Sequence, residues 1–396
     1  MTIIACGDYY LMGEIELRIL HTSDWHLGRI FHGIHLTDDQ AYVLEQFLQV
    51  AGDVKPDVII IAGDVYDRSV PPTDAVKLLD EVISRVLMDF SVPVLLIAGN
   101  HDSPERLGFG TRLLARQGLF IIGQPSANLA PIILQDSHGP VYFCPVPYAE
   151  PSVVRETLAA PDATDYNSAM RCLLKHYTAS LPRGSRAVAV AHAYVAGGES
   201  SESERPLTIG GTEMVDAACF QSFNYAALGH LHKPQKTGTG IYYAGSLLKY
   251  SFSESPHRKS INLVEMDEAG NINLDKVTLS PRRDVRCLEG YLTDILTAPK
   301  NGENKEDYIM VTLKDTGALL DALGKLREIY PNVLHIERPF LLDGGELRGP
   351  RGDHRRLSDM DLFSSFFEQV TGVPLNSEEA RTFAQTVELF YPKEQR

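Results

Sequence analysis

The 396-residue chain contains no uninterrupted apolar run of the roughly 18 residues that a membrane-spanning helix needs. The first residues, Met1 to Glu16, carry an apolar patch but neither a basic segment nor a small-residue cleavage site, so they do not read as a signal peptide. Cysteine is sparse. Cys6, Cys144, Cys172, Cys219 and Cys287 are odd in number and never form a CxxC pair, the pattern of small buried residues in a reducing cytoplasm. No internal repeat of solenoid length is visible. Basic residues are outnumbered: 37 Lys and Arg face 52 Asp and Glu, a net charge of −15. That balance argues against a surface coated in nucleic acid. It does not exclude an enzyme acting on DNA, because an acidic cluster that holds cations lowers the count while the cations restore a positive field.

What the chain does have is 44% apolar and 22% charged residues, the composition of a globular protein. Its length calls for two or three domains. The first half alternates short apolar runs with amphipathic stretches. Arg18–Thr22, Val58–Ala62, Val94–Ala98, Val141–Pro145, Ala187–Ala191, Tyr225–Leu228 and Ile241–Ala244 read as strands. Gln40–Val50 has helical spacing, and so has a stretch capped by Thr73 that puts Val76, Leu79, Val82, Ile83, Val86 and Leu87 on one face. This rhythm predicts an α/β core with helices outside. After about Pro281 the texture changes to a small β–β–α–β unit: Cys287–Leu292, Asp307–Lys314, a helix over Gly317–Ile329 with Leu319, Leu320, Leu323 and Leu326 on one side, and Val333–Glu337. Leu342–Arg356 is a Gly- and Arg-containing linker, and its Arg351–Asp353 triplet is a chance Arg-Gly-Asp. Two short helices end the chain. Ser358 caps the first, whose stripe is Leu362, Phe363, Phe366, Phe367 and Val370, with Gly372 and Pro374 beyond it. Ser377 caps the second, which aligns Ala380, Phe383, Val387 and Phe390.

The chemistry lies in five short motifs. Asp24-Trp25-His26 follows a strand, and period-two alternation would turn its carboxylate and imidazole toward one cation. Gly63-Asp64-Val65-Tyr66-Asp67 and Gly99-Asn100-His101-Asp102 each follow a buried strand, at the carboxyl end where open α/β sheets bind ligands. His192 closes a small-residue strand, and Gly229-His230-Leu231-His232 closes another. Taken singly, each reads as well as a turn or a satisfied core histidine. Together they place carboxylates, an amide and imidazoles at the rim of one sheet, where burial without partners would be costly.

D-x-H, GDxxD, GNHD, a lone His and GHxH, in this order, resemble the calcineurin-like metallophosphoesterases. The fold implied is a β-sandwich flanked by helices, with a small α+β capping domain and a C-terminal helical tail. Residues 21–28 (HTSDWHLG), 99–107 (GNHDSPERL), 202–211 (ESERPLTIGG) and 228–235 (LGHLHKPQ) are similar to the SbcD family of bacterial nuclease subunits, over roughly Leu17 to Phe390. The resemblance implies a domain division: an extension at 1–16 without counterpart, a nuclease domain at 17–280, a capping domain at 281–341, a linker at 342–357 and a partner-binding tail at 358–396. It implies two divalent ions. One would be held by Asp24, His26, Asp64 and His232, the other by Asp64, Asn100, His192 and His230, with Asp64 shared. This mixed donor set suits Mn²⁺ better than Mg²⁺. His101 would steady the transition state or protonate the leaving oxygen. Asp67 departs from the His of archaeal and eukaryotic relatives and would orient a ligand from behind.

Arg29, Arg68 and Arg106 each follow a motif within a few residues, and Arg258 and Lys259 form a second basic cluster; these are candidate contacts to DNA phosphates. The implied activity is that of an ATP-gated 3′→5′ exonuclease on duplex ends and an endonuclease on single strands and hairpins. The implied partner is an SbcC-type coiled-coil ATPase docked on the helical tail, with a homodimer of this chain inside a heterotetramer, in the cytoplasm near the nucleoid and away from membrane. A phosphoesterase acting on small molecules or phosphoproteins would use the same metal centre and is the alternative.

Overall fold

A computed structural model describes residues 17–204, 214–297, 303–316, 319–339, 358–371 and 373–390, without the side chains of 369, 370 and 388–390. The expectations for the 1–16 extension, the 342–357 linker, most of the 202–211 stretch, and the Val370 and Phe390 side chains lie outside these residues. The chain divides into two compact units, one running through Arg282 and the other from Arg283.

In chain order the first unit contains β1 (Leu17–Thr22), β2 (Ile30–Phe31), β3 (Ile34–His35), α1 (Thr37–Val54), β4 (Val58–Ala62), α2 (Thr73–Met88), β5 (Val94–Ile97), α3 (Pro104–Leu107), α4 (Thr111–Leu114) and β6 (Leu119–Ile122). It continues with β7 (Ile132–Asp136), β8 (Gly139–Val146), α5 (Pro151–Thr157), α6 (Tyr166–Thr178), β9 (Arg186–His192), β10 (Tyr225–Gly229), β11 (Gln235–Gly238), β12 (Ile241–Tyr243), β13 (Ser260–Met266) and β14 (Ile272–Thr278). Two six-stranded sheets result, ordered β14-β13-β1-β4-β5-β6 and β11-β12-β10-β9-β8-β7. In the first, β1, β4, β5 and β6 run parallel; in the second, β12, β10, β9 and β8 do. Parallel strands covered on both faces need continuous apolar sequence, and all five residues of β4 are buried.

The sheets pack face to face. Leu17, Ile19, Val58, Ile60, Ala62, Leu95 and Ile97 of the first meet Leu134, Val141, Phe143, Val188, Val190, Tyr225 and Ala227 of the second. These are alternate residues along each strand, as the pleat requires. The opposite face of the second sheet is covered by Val154 of α5 and Ala169, Met170, Leu173 and Leu174 of α6. This is the expected helix-flanked β-sandwich. Two local expectations change. Thr73 is the first residue of α2, and the capping position is Pro72, which has no side-chain acceptor. The buried face of α2 is Ala75, Val82, Ile83 and Val86, while Val76 is exposed.

The second unit holds β15 (Val285–Gly290), α7 (Leu292–Thr297), β16 (Tyr308–Leu313), α8 (Ala322–Arg327), β17 (Val333–Glu337), α9 (Asp359–Thr371) and α10 (Ser377–Phe390). The sheet is β15-β16-β17 and wholly parallel. The sequence reading missed α7. Parallel neighbours need a crossover, usually a helix, and the six residues of α7 were too few to show a period. The next helix is shorter than expected: Leu320 and Leu323 are exposed, while Leu326 is buried against Leu292, Ile309, Val311 and Tyr330. Ser358 caps α9 by accepting from the Asp361 N–H at 3.2 Å. For α10 the cap is Asn376, whose Oδ1 accepts from the N–H groups of Glu378 (3.0 Å) and Glu379 (2.9 Å), rather than Ser377. The Phe363 and Phe383 rings stack at 3.8 Å and join the two helices.

Candidate metal centre

The motifs meet where β1, β4 and β5 of one sheet and β9 and β10 of the other end. The sheets touch there: His192 Nδ1 donates to the Ala62 carbonyl at 2.9 Å. Contact this close excludes side chains. A Cβ on Gly229 would sit 2.0 Å from the Ala62 oxygen, and one on Gly99 would sit 2.1 Å from Asp64 Oδ1. Gly63, Gly99 and Gly229, which begin three of the motifs, therefore make room for the neighbouring strand end.

Asp24 and His26 do converge, but not by strand alternation. β1 ends at Thr22, and both residues adopt left-handed backbone conformations, φ 53° and 46°. Asp64 (φ 49°) and His230 (φ 105°) also have positive φ. Such conformations cost about 1–3 kcal/mol each and persist only where surroundings over-determine them. Here the surroundings are visible. Gln40 on α1, itself buried, donates to the carbonyls of Trp25 (3.1 Å) and His26 (2.7 Å) and accepts from the Gly28 N–H. The Asp24 N–H donates to the Gly63 carbonyl and the His26 N–H to that of Asp64, both at 3.0 Å. Asp102 accepts from the N–H groups of Val65, Tyr66 and Gly99 and so ties the second motif to the third.

The donor atoms crowd one small volume. Three groups have ligand atoms mutually within 4.8 Å: Asp24, His26 and His232; Asp24, Asp64 and His192; and His26, Asp64 and His101. Asp64 Oδ1 accepts from the His101 N–H at 2.9 Å, leaving Oδ2 to face His192 Nε2 at 3.4 Å and His26 Nε2 at 3.7 Å. His26 Nε2 and His232 Nε2 stand 3.0 Å apart. Asn100 Oδ1 lies 2.9 Å from His192 Nε2 and 3.2 Å from His230 Nδ1. The structure thus brings together Asp24, His26, Asp64, Asn100, His192, His230 and His232, with His101 at the edge.

These contacts lack positive charge. His192 Nδ1 donates to Ala62, so in a neutral ring Nε2 turns a lone pair toward Asp64. Burial opposes charge on His192, yet Asp64 and Asp24 lift its pKa to about 9. Burial would raise Asp64, but His192, His101 and His26 hold it well below the carboxylate range. Burial lifts Asp24 to about 6 and, with His192, pushes His230 down to about 3. A site that recruits protons onto an imidazole beside a carboxylate is one a cation would satisfy, and among the described residues the buried His26 Nδ1 has no hydrogen-bond partner. Imidazole nitrogens with carboxylate and amide oxygens fit divalent ions.

Behind the donors is a layer the sequence reading missed. His232 Nδ1 lies 2.6 Å from Ser203 Oγ and 3.3 Å from Glu254 Oε1. Glu254, fully buried, also accepts from Ser203 Oγ and pairs with Lys259. The only signal was Ser203 within the 202–211 stretch; Glu254 and Lys259 sit in no motif. Lys259 is corrected here. It is buried, and its ammonium donates to Glu254, the His232 carbonyl (2.7 Å) and Ser246 Oγ (2.8 Å), so it cannot reach a DNA strand. Arg29 binds Asp67 at 2.8 Å and lies over the Tyr250 ring. Arg68, Arg106 and Arg258 are exposed. Asp67 Oδ1 stands 3.7 Å from His26 Nδ1, and its carbonyl oxygen is 2.8 Å from His101 Nδ1.

Residues 17–234, which hold the strand-end donors and most of this sandwich, match the calcineurin-like phosphoesterase model. Residues 281–371 match a model described as type 5 capsule protein repressor C-terminal domain. The SbcD subunit of nuclease SbcCD from Staphylococcus epidermidis is 34% identical over 90% of this chain and 94% of its own length. Its counterpart in Staphylococcus saprophyticus is 33% identical over 92% and 96%. Among solved structures, a dimetal phosphatase from Danio rerio covers 67% of this chain and 100% of its own at 14% identity and a TM-score of 0.39, a likeness too distant to carry an argument. The chain belongs to the calcineurin-like phosphoesterases and, within them, to the family of SbcD nuclease subunits. It is a hydrolytic nuclease whose family and donor set imply divalent metal ions. Among the described residues no helix is long and apolar enough to cross a membrane.

Proposed function

We propose that this chain is the catalytic subunit of an SbcCD-type complex, cutting DNA at a centre of two divalent ions, with Mn²⁺ preferred. One ion is held by Asp24, His26, Asp64 and His232, the other by Asp64, Asn100, His192 and His230. The observation that carries this is Asp64 Oδ2, buried and facing one imidazole Nε2 from each sheet. When bound, the ions supply Lewis acidity toward the scissile phosphate and a nucleophilic water at neutral pH. The protein's own groups do the rest. His101 donates Nδ1–H to the Asp67 carbonyl, which leaves Nε2 to hold or deliver a proton at the leaving oxygen. Asp67 braces His101 through its carbonyl and Arg29 through its carboxylate. Arg29, Arg68, Arg106 and Arg258 contact the strand.

The polymer is DNA, attacked 3′→5′ at duplex ends and endonucleolytically at single strands and hairpins. Cutting is gated by an SbcC-type ATPase that docks on α9, α10 and their connection, where Phe366 of α9 and Val373 between the helices are exposed. The complex is cytoplasmic, near the nucleoid, with this chain as a homodimer. The domain division proposed is nuclease 17–280, capping 281–341, linker 342–357 and tail 358–396, with 1–16 as an extension. The purified chain on a labelled DNA hairpin should cut only when Mn²⁺ is restored after chelation, and metal analysis should find two ions per chain. Asp64→Ala should lose both cutting and metal; His101→Ala should lose cutting and keep metal. Cleavage that survives chelation, or a His101→Ala chain that cuts normally, would refute the assignment.

A further inference from the structure

A cavity of about 500 Å³ lies at the same rim of the sandwich as the metal centre, outside the donor set. The strand register fixes its place. Asn262 of β13 pairs with His21 of β1, so Ser260 lies two residues further on, level with Ser23 beside Asp24. Ser260 pairs with Thr278, and both line the cavity. Lys233, also in its wall, directly follows His232.

The lining is cationic although the chain carries a net charge of −15. Lys233, Arg258 and Lys276 face one carboxylate, Glu199, and that carboxylate is paired with Lys233. Among the described residues Arg258 and Lys276 have no ion pair; the Lys276 ammonium donates to the Pro234 carbonyl at 3.1 Å. His257 lines the cavity too, and burial and Lys259 lower its pKa to about 4, so Arg258 and Lys276 carry the excess charge. A second observation is independent of charge. Ser260 is buried, and among the described residues its Oγ has no hydrogen-bond partner. A buried hydroxyl left unpaired is uncommon and calls for an acceptor. A guanidinium, an ammonium and a hydroxyl around one space are the donors that recognise a phosphate.

We propose that this cavity is a phosphate subsite, and that it takes a backbone phosphate of the nucleic-acid strand away from the bond being hydrolysed. The proposal rests on the nuclease reading above. Arg258 and Lys276 neutralise the phosphate, Ser260 Oγ donates to it, and the strand is thereby held in register with the centre that Lys233 adjoins.

The test is duplex binding by the full chain, followed by fluorescence anisotropy under chelation so that nothing is cut. Each neutralised duplex phosphate contributes roughly 0.9 to the slope of log affinity against log salt. The double variant Arg258→Ala/Lys276→Ala leaves that one phosphate unneutralised and should therefore lose roughly 0.9 of slope. Between roughly 50 and 200 mM salt its affinity should fall roughly 3.5-fold less than that of the wild type. Ser260→Ala should weaken binding and keep the slope, and Lys175→Ala on α6 should change neither. Matched thermal melts establish that the variants are folded. An unchanged slope in a folded double variant overturns the proposal. So does a variant that loses binding of inorganic phosphate yet keeps the wild-type duplex slope, because the cavity would then serve a free anion. A wild-type chain that neither binds nor cuts DNA would instead sink the nuclease reading.

Discussion

Replacing Lys259 by Met removes the positive partner of a fully buried carboxylate. Glu254 would keep Ser203 Oγ and the His232 ring, but its Oε2 would lose the ammonium. Removing one member of a buried ion pair leaves an uncompensated charge and costs about 3–5 kcal/mol. For a domain of this size roughly 2 °C of melting temperature goes with each kcal/mol, so the midpoint should fall by roughly 6–10 °C. The double variant Lys259→Met/Glu254→Gln carries no buried charge, because the amide occupies the same volume without needing a counterion. It should recover more than half of the loss, which a double-mutant cycle on thermal melts under chelation would read directly. Glu254→Gln alone should show a second effect. His232 Nδ1 would lose its carboxylate, and such losses behind a metal ligand lower affinity by roughly 10–100-fold, measurable as Mn²⁺ binding by calorimetry. A Lys259→Met chain destabilised by less than about 1 kcal/mol, the scale of a solvent-exposed pair, would refute the reasoning. So would a double variant whose losses simply add.

Three further outcomes follow from the same geometry. Gly99→Ala would place a methyl group 2.1 Å from Asp64 Oδ1; the folded variant should bind Mn²⁺ more weakly and cut more slowly, and unchanged metal binding would show that the strand ends can part. Asp136 is bound by Arg186 through two contacts of 2.6 Å, and although burial alone would raise its pKa, Arg186 holds it below the usual value of 3.8. Its contribution to stability should therefore be present above about pH 4 and be lost as pH falls through the lower folded-state value. The stability gap between wild type and Asp136→Asn, measured by denaturant melts, should close on acidification, and a gap constant down to pH 2 would contradict the pairing. In the second unit, Leu326→Ala removes a fully buried side chain between Leu292, Ile309 and Tyr330 and should cost about 2–5 kcal/mol there; a calorimetric transition that does not move would disprove its place in that core.

The sequence by itself showed the strands that carry the motifs and the polar side chains that gather at their ends. Val58–Ala62 and Val94–Ile97 are apolar on both faces because parallel strands are covered on both, and each is followed by glycine and a polar group at the carboxyl end. Those signals are local, and local signals can be read along a chain. Short elements were not legible: α7 is six residues long, and the caps of α2 and α10 lie one residue away from the expected ones. Tertiary structure alone decided how Asp24 and His26 converge. Alternation along a strand would have sufficed, yet the chain uses left-handed conformations held by Gln40, a residue 14 to 16 positions away on a helix. It also decided that Lys259 braces Glu254 behind His232 while its neighbour Arg258 stays in solvent. Adjacent basic residues look alike in a sequence. Burial separates them, and burial depends on what the rest of the chain lays on top.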